Sequence, residues 1–201
     1  MRNKLGILFM TFGLLLIAGA AGLFLYNQNV QRQAADAVEV LLPKMQSIIA
    51  QRAQEQPEQR PWEEPDPRPA EMTAEEIDGH FYIGYVSMPA LGLELPVMAQ
   101  GSDSQLRLAP CRQYGSAKSG DLVIAGLNYK THFGTLHMLR ENDTVTFTDM
   151  DGAVTSYLVK SVLSVDAADT DYLENSGWQL VLYTCTYGNG QQIAVCCVAA
   201  E

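Results

Sequence analysis

Basic residues run out early in this 201-residue chain, and no Lys or Arg follows Lys160. Arg2 and Lys4 precede every acidic residue. Beyond Tyr26 only 11 of the 13 Lys and Arg remain, against all 23 Asp and Glu, and the formal charge is −10. Such a surface repels phosphate backbones and carries no basic stripe, which excludes nucleic acid as a partner. Cysteine is scarce too. Cys111, Cys185, Cys196 and Cys197 form no CxxC pair and have no His at zinc-ligand spacing, so neither a zinc site nor a disulfide-dense scaffold is expected. A Gly-rich phosphate loop is missing, because Gly188-Asn189-Gly190 lies between two apolar runs and suits a hairpin turn. What remains is a chain with 47% hydrophobic and 18% charged residues. It has enough apolar material for one folded domain plus extensions, so full disorder is excluded.

Residues 5–26 contain no charge, and at 1.5 Å per residue they span a bilayer core of about 30 Å. Ala18-Gly19-Ala20 fits a cleavage site, which would make the run a signal peptide. The apolar stretch continues through Leu23-Phe24-Leu25, however, longer than a signal peptide's apolar region, and an uncleaved anchor is expected. With Arg2 and Lys4 as the short flank, residues 1–4 are expected in the cytoplasm and the rest outside a cell membrane crossed once. Beyond the anchor, Val38, Leu41, Leu42, Met45, Ile48 and Ile49 recur at helical spacing, predicting an amphipathic helix over 34–54 kinked at Pro43. Its apolar face has two candidate partners, the folded domain or the membrane surface. Prolines 57, 61, 65, 67 and 69 among acidic residues then predict an extended spacer, so that 27–78 is helical and then Pro/Glu-rich.

The folded domain is expected over 79–201. Runs at 81–88, 121–125, 144–147, 156–165, 179–184 and 192–198 have strand character, with turn signals such as Met150-Asp151-Gly152 between them. Short strands at this spacing predict an all-β barrel or sandwich. Cys196 and Cys197 share one run, so they should face opposite sides, one in the core and one exposed.

Cys185 ends the apolar run Leu180-Val181-Leu182-Tyr183-Thr184, and spacing alone leaves two readings. It is either a nucleophile facing a groove or a buried thiol acting as a small hydrophobe. The segment Val181-Leu182-Tyr183-Thr184-Cys185 resembles the Thr-Leu-x-Thr-Cys signature of the sortases, membrane-anchored cysteine transpeptidases of Gram-positive bacteria. Residues 122–134, ending in His132-Phe133-Gly134, resemble the sortase stretch that carries the catalytic His. Ala109-Pro110-Cys111-Arg112 and residues 147–152 extend the likeness over about 81–198. The resemblance implies a closed β-barrel of about eight strands. No cofactor or metal site is expected, and the numerous Asp residues read as a solvated surface rather than a metal cage. It further implies thioacyl transfer through Cys185, joining an LPXTG-type sorting signal to a cell-wall or pilin amine.

Two expected catalytic groups are replaced. The family's His directly follows the Ala-Gly pair, where this chain has Leu127, and the family's Arg falls in register on Gln192. The resemblance therefore also implies an alternative, a degenerate sortase that binds peptide or a partner but turns over slowly or not at all. Auxiliary candidates are Asn128, for a neutral hydrogen bond to an oxyanion, His132, Arg112 and Thr184. His132 lies five residues beyond Leu127 and is expected to be structural, while Arg112 is expected to order a loop.

Overall fold

The computed structural model describes residues 2–55, 72–166, 176–185 and 191–200, with Cys185 described through its backbone. The expected Pro-rich spacer and the Gly188-Asn189-Gly190 turn lie outside these residues. A single helix, α1 (Arg2–Glu55), runs from the apolar amino-terminal segment to the start of that spacer. It contains one apolar window of membrane-spanning length, Phe9–Tyr26. The helix predicted over 34–54 is its carboxy-terminal part and continues through Pro43. A proline inside a helix loses one backbone hydrogen bond and crowds the preceding turn. Packing on the following turns offsets that cost, since Leu41, Met45 and Ile49 repeat every four residues and are all buried. They join Ile77, Tyr82, Met98 and Met150 in one apolar cluster. The helix face thus packs on the folded domain, the first of its two candidate partners.

Nine strands follow. They are β1 (Glu75–Ile77), β2 (His80–Met88), β3 (Leu93–Met98), β4 (Cys111–Tyr114), β5 (Leu122–Leu127), β6 (Thr144–Asp149), β7 (Val154–Val165), β8 (Leu180–Cys185) and β9 (Gln192–Ala199). A one-turn helix, α2 (Asp103–Leu106), joins β3 to β4. The order across the sheet is β1-β2-β3-β4-β5-β8-β9-β7-β6, and β2 pairs with β6 to close the eight longer strands into a barrel. Each of the six strand-like runs of the sequence matches a strand, and only Asp121 and Gln179 at the starts of two runs lie one residue outside. β3 and β4 had no such signal: β3 holds Pro96, and β4 is four residues of mixed polarity. The sheet also begins at Glu75, four residues ahead of the expected start at Gly79, because the Asp78-Gly79 turn folds β1 back onto β2.

Closure depends on a close approach of backbones. At Gly84, where φ is +144°, a Cβ would sit 2.0 Å from the Thr148 carbonyl oxygen on β6. Only glycine permits both that angle and that contact. Inside the barrel, Val86, Leu122, Ile124, Phe147, Leu180, Leu182 and Val195 form a closed core. The alternate residues, among them Val123, Ala125, Leu127, Val181, Tyr183 and Ala194, belong to the outer cluster that continues under α1. This second layer corrects the expectation for the vicinal cysteines. Cys196 and Cys197 do alternate, but both are buried, because the outer face beside Val181 is covered as well. Their thiols are free, and burial pushes them up to about 11 and about 12.

Candidate functional site

The site is a row of three positions across β5, β8 and β9. β5 and β8 run parallel, and their last pair is Leu127 with Cys185. β8 and β9 run antiparallel, with Tyr183 opposite Ala194 as their last pair. Gln192 opens β9, where it pairs with Val165 of β7, and the β8–β9 register carried two residues further would set it opposite Cys185. The positions where the resemblance expects His and Cys therefore stand side by side, the position where it expects Arg lies on the next strand, and the first and last of the three lack the expected group.

Leu127 is 2% exposed and belongs to the outer apolar cluster. Its carbonyl accepts hydrogen bonds from the Tyr129 and Phe133 amides at 2.8 and 3.1 Å, which winds the following loop back onto the strand end. Phe133 packs against Gly126, where a Cβ would approach its Cδ2 to 2.6 Å. Tight local packing, rather than a free loop, thus fixes the residue beside Cys185. Gln192 is also buried, and its Oε1 has no hydrogen-bond partner. Thr184 is committed elsewhere, since its Oγ1 accepts the Ile193 amide at 2.9 Å and ties β8 to β9.

The remaining candidates do not restore the missing chemistry. His132 is fully buried, with its ring centroid 5.8 Å from that of Tyr129. The Leu108 backbone is the polar group nearest to matching it, yet neither ring nitrogen makes a hydrogen bond of good geometry. Desolvation pulls this imidazole from 6.5 down to about 4, so it is neutral near pH 7 and has no proton to give as an acid. Asn128 is exposed just past the strand end. Arg112 pairs on β4 with Ile124, three residues before Leu127, and its Nε and Nη1 donate to the Ala99 and Gly115 carbonyls at 3.0 and 3.3 Å. These bonds tie it to the segments that follow β3 and β4. No Lys or Arg occurs on β5, β8 or β9. The sequence reading missed Tyr129 and Tyr183, the aromatics packed around this row. Tyr183 lies inside the Cys185 signature, and alternation along β8 was the signal that could have placed it on the face shared with Leu127.

The fold thus defines a class, a closed β-barrel in which a cysteine ends one strand in parallel register with β5. The sortase domain model matches residues 86–199, and the chain belongs to the sortase family. Comparison with curated proteins returns no match. Among solved structures, Streptococcus pneumoniae sortase C is similar with a TM-score of 0.52 at 19% identity, over 79% of this chain and 89% of that one. Streptococcus agalactiae sortase C1 gives 0.52 at 22% identity, over 63% and 71%. A lid mutant of Corynebacterium diphtheriae sortase A gives 0.50 at 22%, over 59% and 70%. At these identities the likeness establishes the fold. Family membership supports a transpeptidase-like function directed at surface or pilin proteins.

Proposed function

We propose that this chain is a degenerate sortase that binds an LPXTG-type sorting-signal peptide over Cys185 and performs acyl transfer slowly or not at all. The observation that carries this reading is the buried Leu127 in direct register with Cys185, at the position of the family's acid and base. Complete transfer requires a thiolate to attack the Thr–Gly carbonyl, a donor to stabilise the oxyanion, an acid to protonate the departing amine and a base to activate the incoming one. An ordinary thiol with a pKa near 8.5 supplies a few per cent thiolate at neutral pH. Leu127 supplies neither acid nor base, a loss of roughly 10²–10⁴-fold. Gln192 offers a neutral amide in place of a guanidinium, and losing one oxyanion donor costs roughly 10²–10³-fold. The two losses do not simply multiply, since groups acting as a unit are non-additive.

The full-length chain in detergent, incubated with LPXTG-type peptides, tests this by intact mass and by anisotropy of a labelled peptide. The expected result is peptide binding without an acyl adduct on wild type, and an adduct on the Leu127→His, Gln192→Arg double variant that Cys185→Ala abolishes. An adduct on wild type, absent in Cys185→Ala, would instead establish an active transpeptidase; retention of the cysteine at the strand end favours that second reading. Absence of both binding and adduct in every variant overturns the peptide reading.

A further inference from the structure

A second site lies outside the row. β3 and β4 share one backbone pair, Met98 with Cys111, and the next residues are Ala99 and Arg112. Both line a cavity of about 450 Å³, with Met72, Phe81 and Ala99 as its apolar lining and Gln100, Gln105 and Arg112 as its polar lining. A neighbouring hollow of about 520 Å³ shares Ala99, Gln100 and Arg112, so Arg112 lines both. The two carbonyls that Arg112 bonds, Ala99 and Gly115, hold the fork in place while using two of its five N–H groups. No carboxylate among the described residues lies within ion-pair distance of it. In a chain of net charge −10, a part-buried cation that lines a cavity and has no counter-ion among the described residues is a feature that a ligand explains. Opposite it, Phe81 leaves 53% of its surface exposed.

We propose that this cavity binds a single carboxylate carrying an apolar group, with the carboxylate on Arg112 and the apolar part against Met72 and Phe81. One fixed guanidinium matches one negative charge and offers parallel donors to both carboxylate oxygens. The cavity volume lies within the range of small-ligand sites, which combine apolar walls with a few placed polar groups. A free amino-acid derivative and the carboxy-terminal end of a peptide present the same chemistry.

The test is [¹³C-methyl]methionine NMR of the full-length chain in detergent, with the Met72 signal assigned through Met72→Leu. The probes are N-acetyl-leucine, its carboxamide, and a hexapeptide ending in leucine with a free carboxylate. The acids should shift the Met72 signal with at least about tenfold tighter apparent binding than the carboxamide, as expected for a charge-assisted pair. Arg112→Gln should abolish that preference. Because Arg112→Gln also releases two backbone carbonyls, Phe81→Ala serves as the second variant; it keeps the guanidinium and should weaken both acids several-fold. Tighter binding of the hexapeptide identifies a chain end as the ligand, and equal binding identifies a small acid. Equal binding of acid and carboxamide, acid binding unchanged in Arg112→Gln and Phe81→Ala, or no Met72 shift with any acid overturns the proposal.

Discussion

Burial sets the charge state of His132, and the sign of its effect on stability follows. Its folded value, about 4, lies below the ordinary 6.5, so between those values the unfolded chain binds a proton that the folded chain refuses. Stability from this residue is complete above about pH 6.5 and falls as the pH drops toward 4. The loss is about 3 kcal/mol, since a tenfold change in proton affinity corresponds to about 1.36 kcal/mol. Denaturant titrations of the chain at pH 7.5, 6, 5 and 4.5 should show that decline, and His132→Leu should flatten it by that amount. Identical slopes in the two proteins would mean that the imidazole is protonated in place. The structural expectation for His132 came from the resemblance, since His132-Phe133-Gly134 is similar to a family segment that accompanies a separate catalytic His. The sequence held no sign of the burial, which depends on the loop winding back to the Leu127 carbonyl. The place of Leu127 beside Cys185 was legible because a motif fixes its register, whereas the cavity beside Arg112 joins residues distant in sequence and leaves no local pattern.

At the scale of elements, the carboxy-terminal part of α1 is a piece of the barrel's outer wall. Met45 is fully buried there, and Met45→Ala should destabilise the domain by about 2–5 kcal/mol through lost transfer energy and a residual cavity. Arg52 bonds Glu75 and the Met150 carbonyl and lies 3.9 Å from Asp151, and its pairs are about one-third exposed. Arg52→Gln should therefore cost under about 1 kcal/mol. Thermal or denaturant unfolding of both variants checks the contrast; a larger effect from Arg52→Gln would mean that charge, not packing, docks the helix. Periodicity in the sequence found this face, and its buried residues repeat as expected. Its partner was not legible, since the covering residues Tyr82, Met98 and Met150 are distant in sequence.

On the scale of the whole molecule, α1 joins an apolar window at Phe9–Tyr26 to the barrel without a break. If residues 5–26 anchor the chain, the protein should remain in the membrane pellet after alkaline carbonate extraction, with an intact mass that includes Met1 or Arg2. A soluble form beginning near Ala21 would identify a cleaved signal peptide. Deleting residues 2–26 should release the barrel into the soluble fraction. An unbroken helix also gives the anchored barrel a compass bearing. The rise from Tyr26 to Leu41 is about 22 Å at 1.5 Å per residue, and each residue turns the chain by about 100°. Inserting one residue in that interval would leave the barrel at nearly the same height but swing the Cys185 row through more than a quarter of a circle about the helix axis. Any partner fixed in the same bilayer would then meet a different side of the molecule.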